Sequence, residues 1–204
     1  HAAGSGAAAV LRGVATDGAG HVFVAGLTAG KLGAAHFGSG DAFVMRLDPG
    51  GAHEWTYQFG TIESEAAHGV AVGAAGNAVV AGDTSGDLYV GNQGFRDAFV
   101  VKVSAAGAFT WGRQFGTGQE DSGDGVAVDL LGNVIVAGGT SGSLPGPGHD
   151  HGCEDAFVAT FAADGTPRWA RQYGTSETDD FWPVTAGLAG NIVAAGYTTG
   201  QYAD

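Results

Sequence analysis

Residues 97–117 read DAFVVKVSAAGAFTWGRQFGT, and the same pattern recurs at 41–61 (DAFVMRLDPGGAHEWTYQFGT) and at 155–175 (DAFVATFAADGTPRWARQYGT). The three copies begin 56 and 58 residues apart. A further marker, Val/Ala-Ala-Gly-x-Thr, lies at 24–28, 80–84, 136–140 and 194–198. Several independent markers in one register identify an internal repeat, and a period of this length is typical of repeat architectures.

Each repeat unit predicts four short β-strands. In the strand at 97–103, Phe99, Val101 and Val103 share one face while Lys102 lies on the other. A second aromatic strand follows at 109–115 after a glycine-containing turn. Earlier in each unit, two apolar strands flank a Gly-Asn or Gly-His pair, where a tight hairpin needs positive φ. No segment has a sustained period of 3.6 residues, so the sequence predicts an all-β protein with essentially no helix.

Four strands per unit without linkers predict a β-propeller-like array of four-stranded antiparallel blades. One blade cannot bury both of its faces alone, and stacking the blades buries the Phe and Trp rows between neighbours. We expect a single domain over 1–204 with about three and a half repeats. The units lie at about 4–59, 60–115 and 116–173, with a partial unit at 174–204.

The order of the motifs resembles the bacterial SBBP-type β-propeller repeat. It runs from Gly-Thr through Gly-Val-Ala-Val-Asp and Gly-Asn-Val-x-Val-Ala-Gly-x-Thr to Asp-Ala-Phe-Val and Trp-x-Arg-Gln-Phe-Gly-Thr. The resemblance covers essentially the whole chain, and the third unit matches best. It implies a fold similar to WD40-like propellers, a place in large secreted or surface-attached bacterial proteins, and no catalytic residue set.

Composition and charge narrow the range of partners. Glycine makes up 39 of the 204 residues, and 21 acidic side chains against 8 basic ones give a formal charge of −13. Such a surface repels phosphate backbones and anionic lipid headgroups, so we expect neither nucleic-acid nor membrane-surface binding. No apolar run approaches about 18 residues, so no membrane span is predicted. We expect an extracellular or cell-surface location.

The last unit contains only the first two of its four strands. An unfilled strand edge invites pairing with another chain. Three interpretations remain open: the chain is an excerpt of a longer multi-blade protein, it closes imperfectly as a four-bladed propeller, or a neighbouring subunit completes the blade. The third interpretation makes self-association the main partnership, with other surface proteins or glycans as alternatives.

One loop carries candidate metal ligands. His149, His151 and Cys153 alternate along a Gly- and Pro-rich stretch, so on an extended loop the three side chains point to one side. Imidazole and thiolate are suited to Zn²⁺ or Cu. The alternative is an exposed polar loop without metal.

A second candidate set consists of carboxylates that follow the Gly-Thr pairs. Oxygen-rich clusters that recur once per blade would suit Ca²⁺. The alternative is that they accept hydrogen bonds from turn amides. The set comprises Glu63, Glu65, Glu120, Asp121, Asp124, Glu177, Asp179 and Asp180.

No catalytic motif is recognisable, because no His accompanies a Ser or Cys nucleophile motif and no Gly-Lys-Ser/Thr phosphate loop occurs. The sequence therefore predicts a non-enzymatic structural protein of the bacterial cell surface or extracellular matrix, a fibre or adhesin building block. The alternative is a glycan- or protein-binding propeller module. Binding would cluster Tyr89, Phe95, Trp182 or Tyr202 on one rim, whereas assembly would place apolar residues at the two chain ends.

Overall fold

The computed structural model describes residues 8–89, 91–146, 152–188 and 190–201. Fourteen β-strands and no helix occur within these ranges. The strands are β1 (Ala9–Thr16), β2 (Val22–Thr28), β3 (Asp41–Leu47), β4 (His53–Phe59), β5 (Glu65–Val72), β6 (Ala78–Thr84), β7 (Asp97–Val103), β8 (Phe109–Phe115), β9 (Asp121–Val128), β10 (Val134–Thr140), β11 (Asp155–Phe161), β12 (Pro167–Tyr173), β13 (Asp179–Ala186) and β14 (Ile192–Thr198).

The strands form three four-stranded antiparallel sheets and one two-stranded sheet, each paired in sequence order. The all-β prediction and the four-stranded unit are confirmed. Strands β7 and β8 have the predicted bounds, whereas β9 begins at Asp121 rather than at residue 125. The predicted hairpin glycines also have positive φ, 82° at Gly132 for example. No helix long and apolar enough to cross a membrane occurs among the described residues.

The hydrophobic cores lie between neighbouring sheets rather than within any one of them. Phe99, Val101 and Val103 of β7 share one core with Phe23 and Val44 of the first sheet. Val100, on the opposite face of β7, belongs to a second core with residues of the third sheet. The predicted alternation along β7 is therefore confirmed, and both of its faces are buried. Each sheet depends on its neighbours for most of its apolar burial.

In the first two units, a tryptophan from the fourth strand packs on a turn of the next unit. The Trp55 indole donates a hydrogen bond from Nε1 to the Ala105 carbonyl at 3.1 Å, and Trp111 makes the equivalent bond to Ala163. Below the Trp55 ring lies Gly107, whose φ is 81°. A Cβ at that position would come within 2.8 Å of the ring. Glycine is needed there both for the turn and for the close approach of the indole.

The equivalent tryptophan of the third unit lacks this cover. Trp169 is 43% exposed, compared with 7% for Trp111. Tyr173 is likewise 39% exposed, whereas Phe59 at the equivalent position is 5% exposed. The two-stranded sheet packs through Phe181 and other residues on the core of β9 and β10, which leaves the outer half of the third sheet uncovered.

We predict that the two equivalent tryptophans contribute unequally to stability. Trp111→Ala removes a buried indole and should lower the free energy of unfolding by about 3–5 kcal/mol. Trp169→Ala, at the uncovered position, should cost about 1 kcal/mol. Urea denaturation followed by far-UV circular dichroism measures both. Equal losses for the two variants would contradict the burial difference.

Candidate functional site

The polar residues that repeat in every unit serve the fold. Gln114 of β8 donates from Nε2 to the Gly86 carbonyl at 3.0 Å and to Asp97 Oδ2 at 2.9 Å. Its Oε1 accepts a hydrogen bond from the Leu88 amide at 2.8 Å. Gln58 and Gln172 make the equivalent bonds in their own units. These buried glutamine side chains hold the loop between the second and third strands of each unit against the fourth strand.

The carboxylates after the Gly-Thr pairs fall into three groups. Glu65, Asp121 and Asp179 are buried at the start of β5, β9 and β13, and Asp121 Oδ2 accepts a hydrogen bond from the Thr117 amide at 2.6 Å. The prediction of hydrogen bonds from turn amides is confirmed for these three. A second group is exposed, comprising Glu63, Glu120 and Glu177. Asp124 and Asp180 form a third group, at the irregular pairing in β9 and β13.

Each first strand contains a β-bulge near its beginning. The pairing register shifts by one residue in β1, β5 and β9, and the shift in β13 spans Trp182 and Pro183. A bulge leaves one residue without a cross-strand partner and redirects its side chain. The bulge residues of the four units occupy equivalent positions but differ completely in chemistry. They are Arg12, His68, Asp124 and Trp182.

Two further positions of the repeat also carry different residues in different units. One is the x of Ala-Gly-x-Thr at the end of the second strand, and the other precedes the Asp of each third strand. We call these residues, the bulge residues and Asp180 the variable cluster. Its members are Arg12, Leu27, Gly40, His68, Asp83, Arg96, Asp124, Gly139, Glu154, Asp180, Trp182 and Tyr197.

In the first two units the polar side chains of the variable cluster contact one another. Arg12 Nη1 lies 2.6 Å from His68 Nδ1. Because a guanidinium only donates, Nδ1 must accept, so Nε2 carries the proton that His68 donates to Asp83 Oδ2. Arg96 Nε lies 3.5 Å from Asp83 Oδ1 on the other side. Asp83 is therefore held between two basic side chains.

In the third and fourth units the variable cluster carries an excess of negative charge. A Cβ on Gly139 would lie 2.6 Å from Glu154 Oε1 and 3.2 Å from Asp180 Oδ1, so both carboxylates lie close against that glycine. Asp180 is 8% exposed, and its Oδ1 accepts no hydrogen bond from the described residues. Asp124 adds a third carboxylate, which accepts a hydrogen bond from Ser122 at 3.0 Å.

Burial and mutual repulsion raise the pKa values of these three carboxyls. Burial, together with the charges of Asp124 and Glu154, raises the pKa of Asp180 to about 7. Burial also raises the pKa of Asp124, although His68 opposes the shift. The pKa of Glu154 is raised by burial and then by Asp124 and Glu120. A carboxyl with a raised pKa resists ionisation, so the folded chain favours the protonated form of these groups.

Two aromatic rings stand beside these carboxylates. The Trp182 and Tyr197 ring centroids are 5.2 Å apart, and the two side chains are 55% and 41% exposed. The Tyr89 ring instead stacks on Phe109 at 5.8 Å. Tyr202 lies outside the described residues. Trp182 is therefore paired with Tyr197, which was not among the predicted rim residues, while Tyr89 takes part in a different aromatic contact.

Of the three predicted metal ligands, one lies among the described residues. His149 and His151 lie outside the described residues, while Cys153 is an exposed free thiol. Within the described ranges, no group of three His, Cys, Asp or Glu side chains is placed to hold a metal ion. Zinc or copper at the loop and calcium at the turns therefore stay predictions.

Comparison with known proteins adds little about function. No protein-family model matches this chain. Over 157 residues the chain is 29% identical to the regulatory protein FlaEY of Caulobacter vibrioides. That match covers 70% of this chain and 16% of the relative, so the chain spans only a small part of that protein's length.

We predict that ionisation of Asp180 destabilises the folded chain. Because its folded pKa is about 7 and its ordinary value is 3.8, the folded state binds more protons in this interval, and stability falls as pH rises through it. Asp180→Asn mimics the protonated form. It should match the wild type near pH 4 and exceed it by on the order of 1–3 kcal/mol at pH 8.

Urea denaturation between pH 4 and pH 8 measures this difference. Glu63→Gln changes an exposed carboxylate and serves as the matched control, which should keep the wild-type stability because its side chain makes no buried contact. A constant offset between Asp180→Asn and the wild type at every pH would contradict the predicted titration.

Proposed function

We propose that the chain is a non-enzymatic section of a β-propeller-type array, a fibre or adhesin building block of the bacterial cell surface or extracellular matrix. It associates through the uncovered face of its third sheet. The observation that carries this proposal is the exposure of Trp169 at a position where Trp111 is buried by the next unit. Exposed aromatic side chains grouped on one face are typical of an interaction surface, which supports the proposal.

The arrangement of the sheets supports a propeller. The first strands pack in succession, β1 on β5, β5 on β9 and β9 on β13, as inner strands do around a propeller axis. Isolated parallel bridges also join consecutive units, at Gly40–Ser64, Arg96–Glu120 and Glu154–Thr178. The resemblance of the motifs to SBBP-type repeats is a further argument for the same proposal.

The occupant that fits the uncovered face is a further repeat of this kind. In the interior of the array, Phe99 of β7 covers Phe59 of the preceding sheet, with ring centroids 5.4 Å apart in an edge-to-face contact. Tyr173 is the counterpart of Phe59; its ring lies 6.0 Å from that of Phe181, and the side chain is still 39% exposed. A strand pair like β7 and β8 would restore this contact and would also place a turn over Trp169. We propose that a second copy of the chain supplies it.

The opposite end of the array is also apolar. Val10, Leu11 and Val14 of β1 are 48%, 62% and 69% exposed. In the interior, the strand equivalent to β1 packs on the first strand of each neighbouring unit. Two different uncovered ends, one at β1 and one at the third and fourth sheets, favour head-to-tail association rather than a two-fold dimer.

We predict concentration-dependent self-association that depends on Trp169. Size-exclusion chromatography with light scattering should show masses above that of the monomer, rising with protein concentration. Trp169→Glu places a charge on the uncovered face and should shift the distribution towards monomer without unfolding, because the side chain is already 43% exposed.

Phe95→Ser provides the matched control, because Phe95 is a 74% exposed aromatic away from both ends of the array. This variant should associate like the wild type. A wild type that stays monomeric up to millimolar concentration would contradict assembly and leave a section of a longer chain as the simpler account.

A second candidate function is a binding module for a protein or a glycan. The observation that favours it is the variable cluster, in which equivalent positions carry unlike side chains while the surrounding framework repeats. Packing and turn geometry account for the repeated residues, but they do not require four different bulge residues. The two functions are compatible, since the uncovered face and the variable cluster use different residues.

A further inference from the structure

A tyrosine of the second unit fills a slot between the first and second sheets. Tyr89 lies in the loop after β6, and its ring stacks on that of Phe109 with the centroids 5.8 Å apart. The ring also lies so close to β8 that a Cβ on Gly112 would come within 2.3 Å of it. Tyr89 packs against the core between the two sheets, where burial raises the pKa of its hydroxyl. The slot between these two units therefore accommodates a phenol ring.

The equivalent slot between the second and third sheets lacks this tyrosine. Pro145 stands at the position of the tyrosine, and Pro167 stands at the position of the phenylalanine on which it stacks. Added bulk offsets only part of this loss, because Ala170 replaces the glycine by one methyl group and Phe161 stands where the second unit has Val103. Two rings are thus exchanged for prolines, while one position gains a ring.

The third unit has a cavity of about 320 Å³ in this slot. Since an apolar cavity of about 150 Å³ already holds a benzene ring, a phenol has room there. In the second unit, the depression beside Tyr89 is lined by β4 and neighbouring loops, with no described residue of β7 or β8 among its lining. The tyrosine therefore closes off the part of the slot that stays open one unit later. The apolar lining of the open slot includes Phe115, Pro145, Ala159, Phe161, Pro167 and Ala170.

The open slot lies on the face of the third sheet that is turned to the second unit. Ala159, Phe161 and Ala170 all contribute to the core that these two sheets share. Phe115 of that core is only half-buried, whereas Phe59 at the equivalent position is 5% exposed. Trp169, on which the proposed self-association depends, also borders the cavity. A ligand in the slot and a neighbouring copy therefore have to be distinguished by experiment.

We propose that the slot between the second and third units binds the phenol ring of a tyrosine that a protein partner presents. The ring takes the place that Tyr89 takes one unit earlier, and it packs on Phe115 and Phe161. Its hydroxyl meets two exposed polar side chains that border the cavity, Gln93 and Arg168. This site rests on the second candidate function, the binding module, and gives a protein ligand of that module its anchoring side chain.

Three probes test this chemistry. p-Cresol is the tyrosine side chain alone, 4-methylcyclohexanol keeps the hydroxyl without the aromatic ring, and Nα-acetyl-L-tyrosine amide adds the peptide backbone. Each is titrated into the full chain with ¹³C-labelled alanine methyl groups, in which the Ala170 signal is assigned through Ala170→Gly. p-Cresol and the tyrosine amide should bind saturably and shift the Ala170 signal through the ring current. 4-Methylcyclohexanol should bind at least ten-fold more weakly, because it lacks the flat ring that the aromatic lining suits.

A pair of variants locates the binding on the chain. Pro145→Tyr combined with Ala170→Gly rebuilds the arrangement of the second unit, so the chain's own ring should fill the slot. Saturation-transfer NMR on the p-cresol signals should then show that binding is lost. Ala170→Gly alone is the matched control, which enlarges the slot and should keep p-cresol binding. The double variant should also melt at a higher temperature than this control, which shows that it is folded.

Equal binding of p-cresol and 4-methylcyclohexanol, or p-cresol binding that survives in the double variant, would overturn the site. Binding of p-cresol without binding of the tyrosine amide would assign the slot to a free phenol and reject the protein partner. A double variant that stays monomeric where the wild type associates would identify the occupant as a second copy of the chain, which also contradicts the proposal. A protein or glycan that binds the variable cluster while no probe enters the slot would retain the binding module and reject only this site.

Discussion

The packing of one tryptophan indole on a turn of the following unit holds the array together. Trp55 and Trp111 each donate a hydrogen bond to a turn carbonyl of the next unit, and a glycine beneath the ring lets the indole approach the backbone. The same carbonyl of Ala105 also accepts a bond from Arg46 at 2.7 Å. Cores of Phe and Val then fill the space between the sheets. No sheet is self-sufficient, so stability spreads along the array from neighbour to neighbour.

This dependence separates the residues into two kinds. Positions that contact the next unit must repeat, because each unit offers its neighbour the same surface. The bulge side chains have no cross-strand partner, so the fold does not dictate their chemistry. Arginine, histidine, aspartate and tryptophan therefore stand at one position in the four units. His68 and Arg96 both contact Asp83 in the first half of the variable cluster, whereas in the second half Asp180 Oδ1 has no donor among the described residues.

The strands were predictable from sequence where alternation is strong. Phe99, Val101 and Val103 alternate with Lys102, and β7 has the predicted bounds. The beginning of β9 was missed because residues 121–125 (DSGDG) are polar and glycine-rich, although pairing with β10 makes them a strand. Its buried Asp121 shows that hydrogen bonding, not hydrophobicity, holds this segment in the sheet.

The candidate site could not be predicted from the period alone. Glu154 and Asp180 belong to different units and converge over Gly139 only in three dimensions. One signal was available in the sequence: residues 12, 68, 124 and 182 are equivalent in the repeat and yet chemically unlike. The loop with His149 and His151 drew attention through its composition instead, and it lies outside the described residues.

The central claim is that the open face of the third sheet is made to receive the second half of a repeat. Residues 85–115 can be appended after Thr198, the counterpart of Thr84, to complete the fourth unit from the chain's own sequence. With 5-fluorotryptophan incorporated, the ¹⁹F resonance of Trp169, assigned through Trp169→Phe, reports its solvent exposure by the H₂O/D₂O isotope shift. The account predicts that this shift is present in the original chain at low concentration and disappears in the extended chain. An isotope shift of the same size in both chains would contradict it.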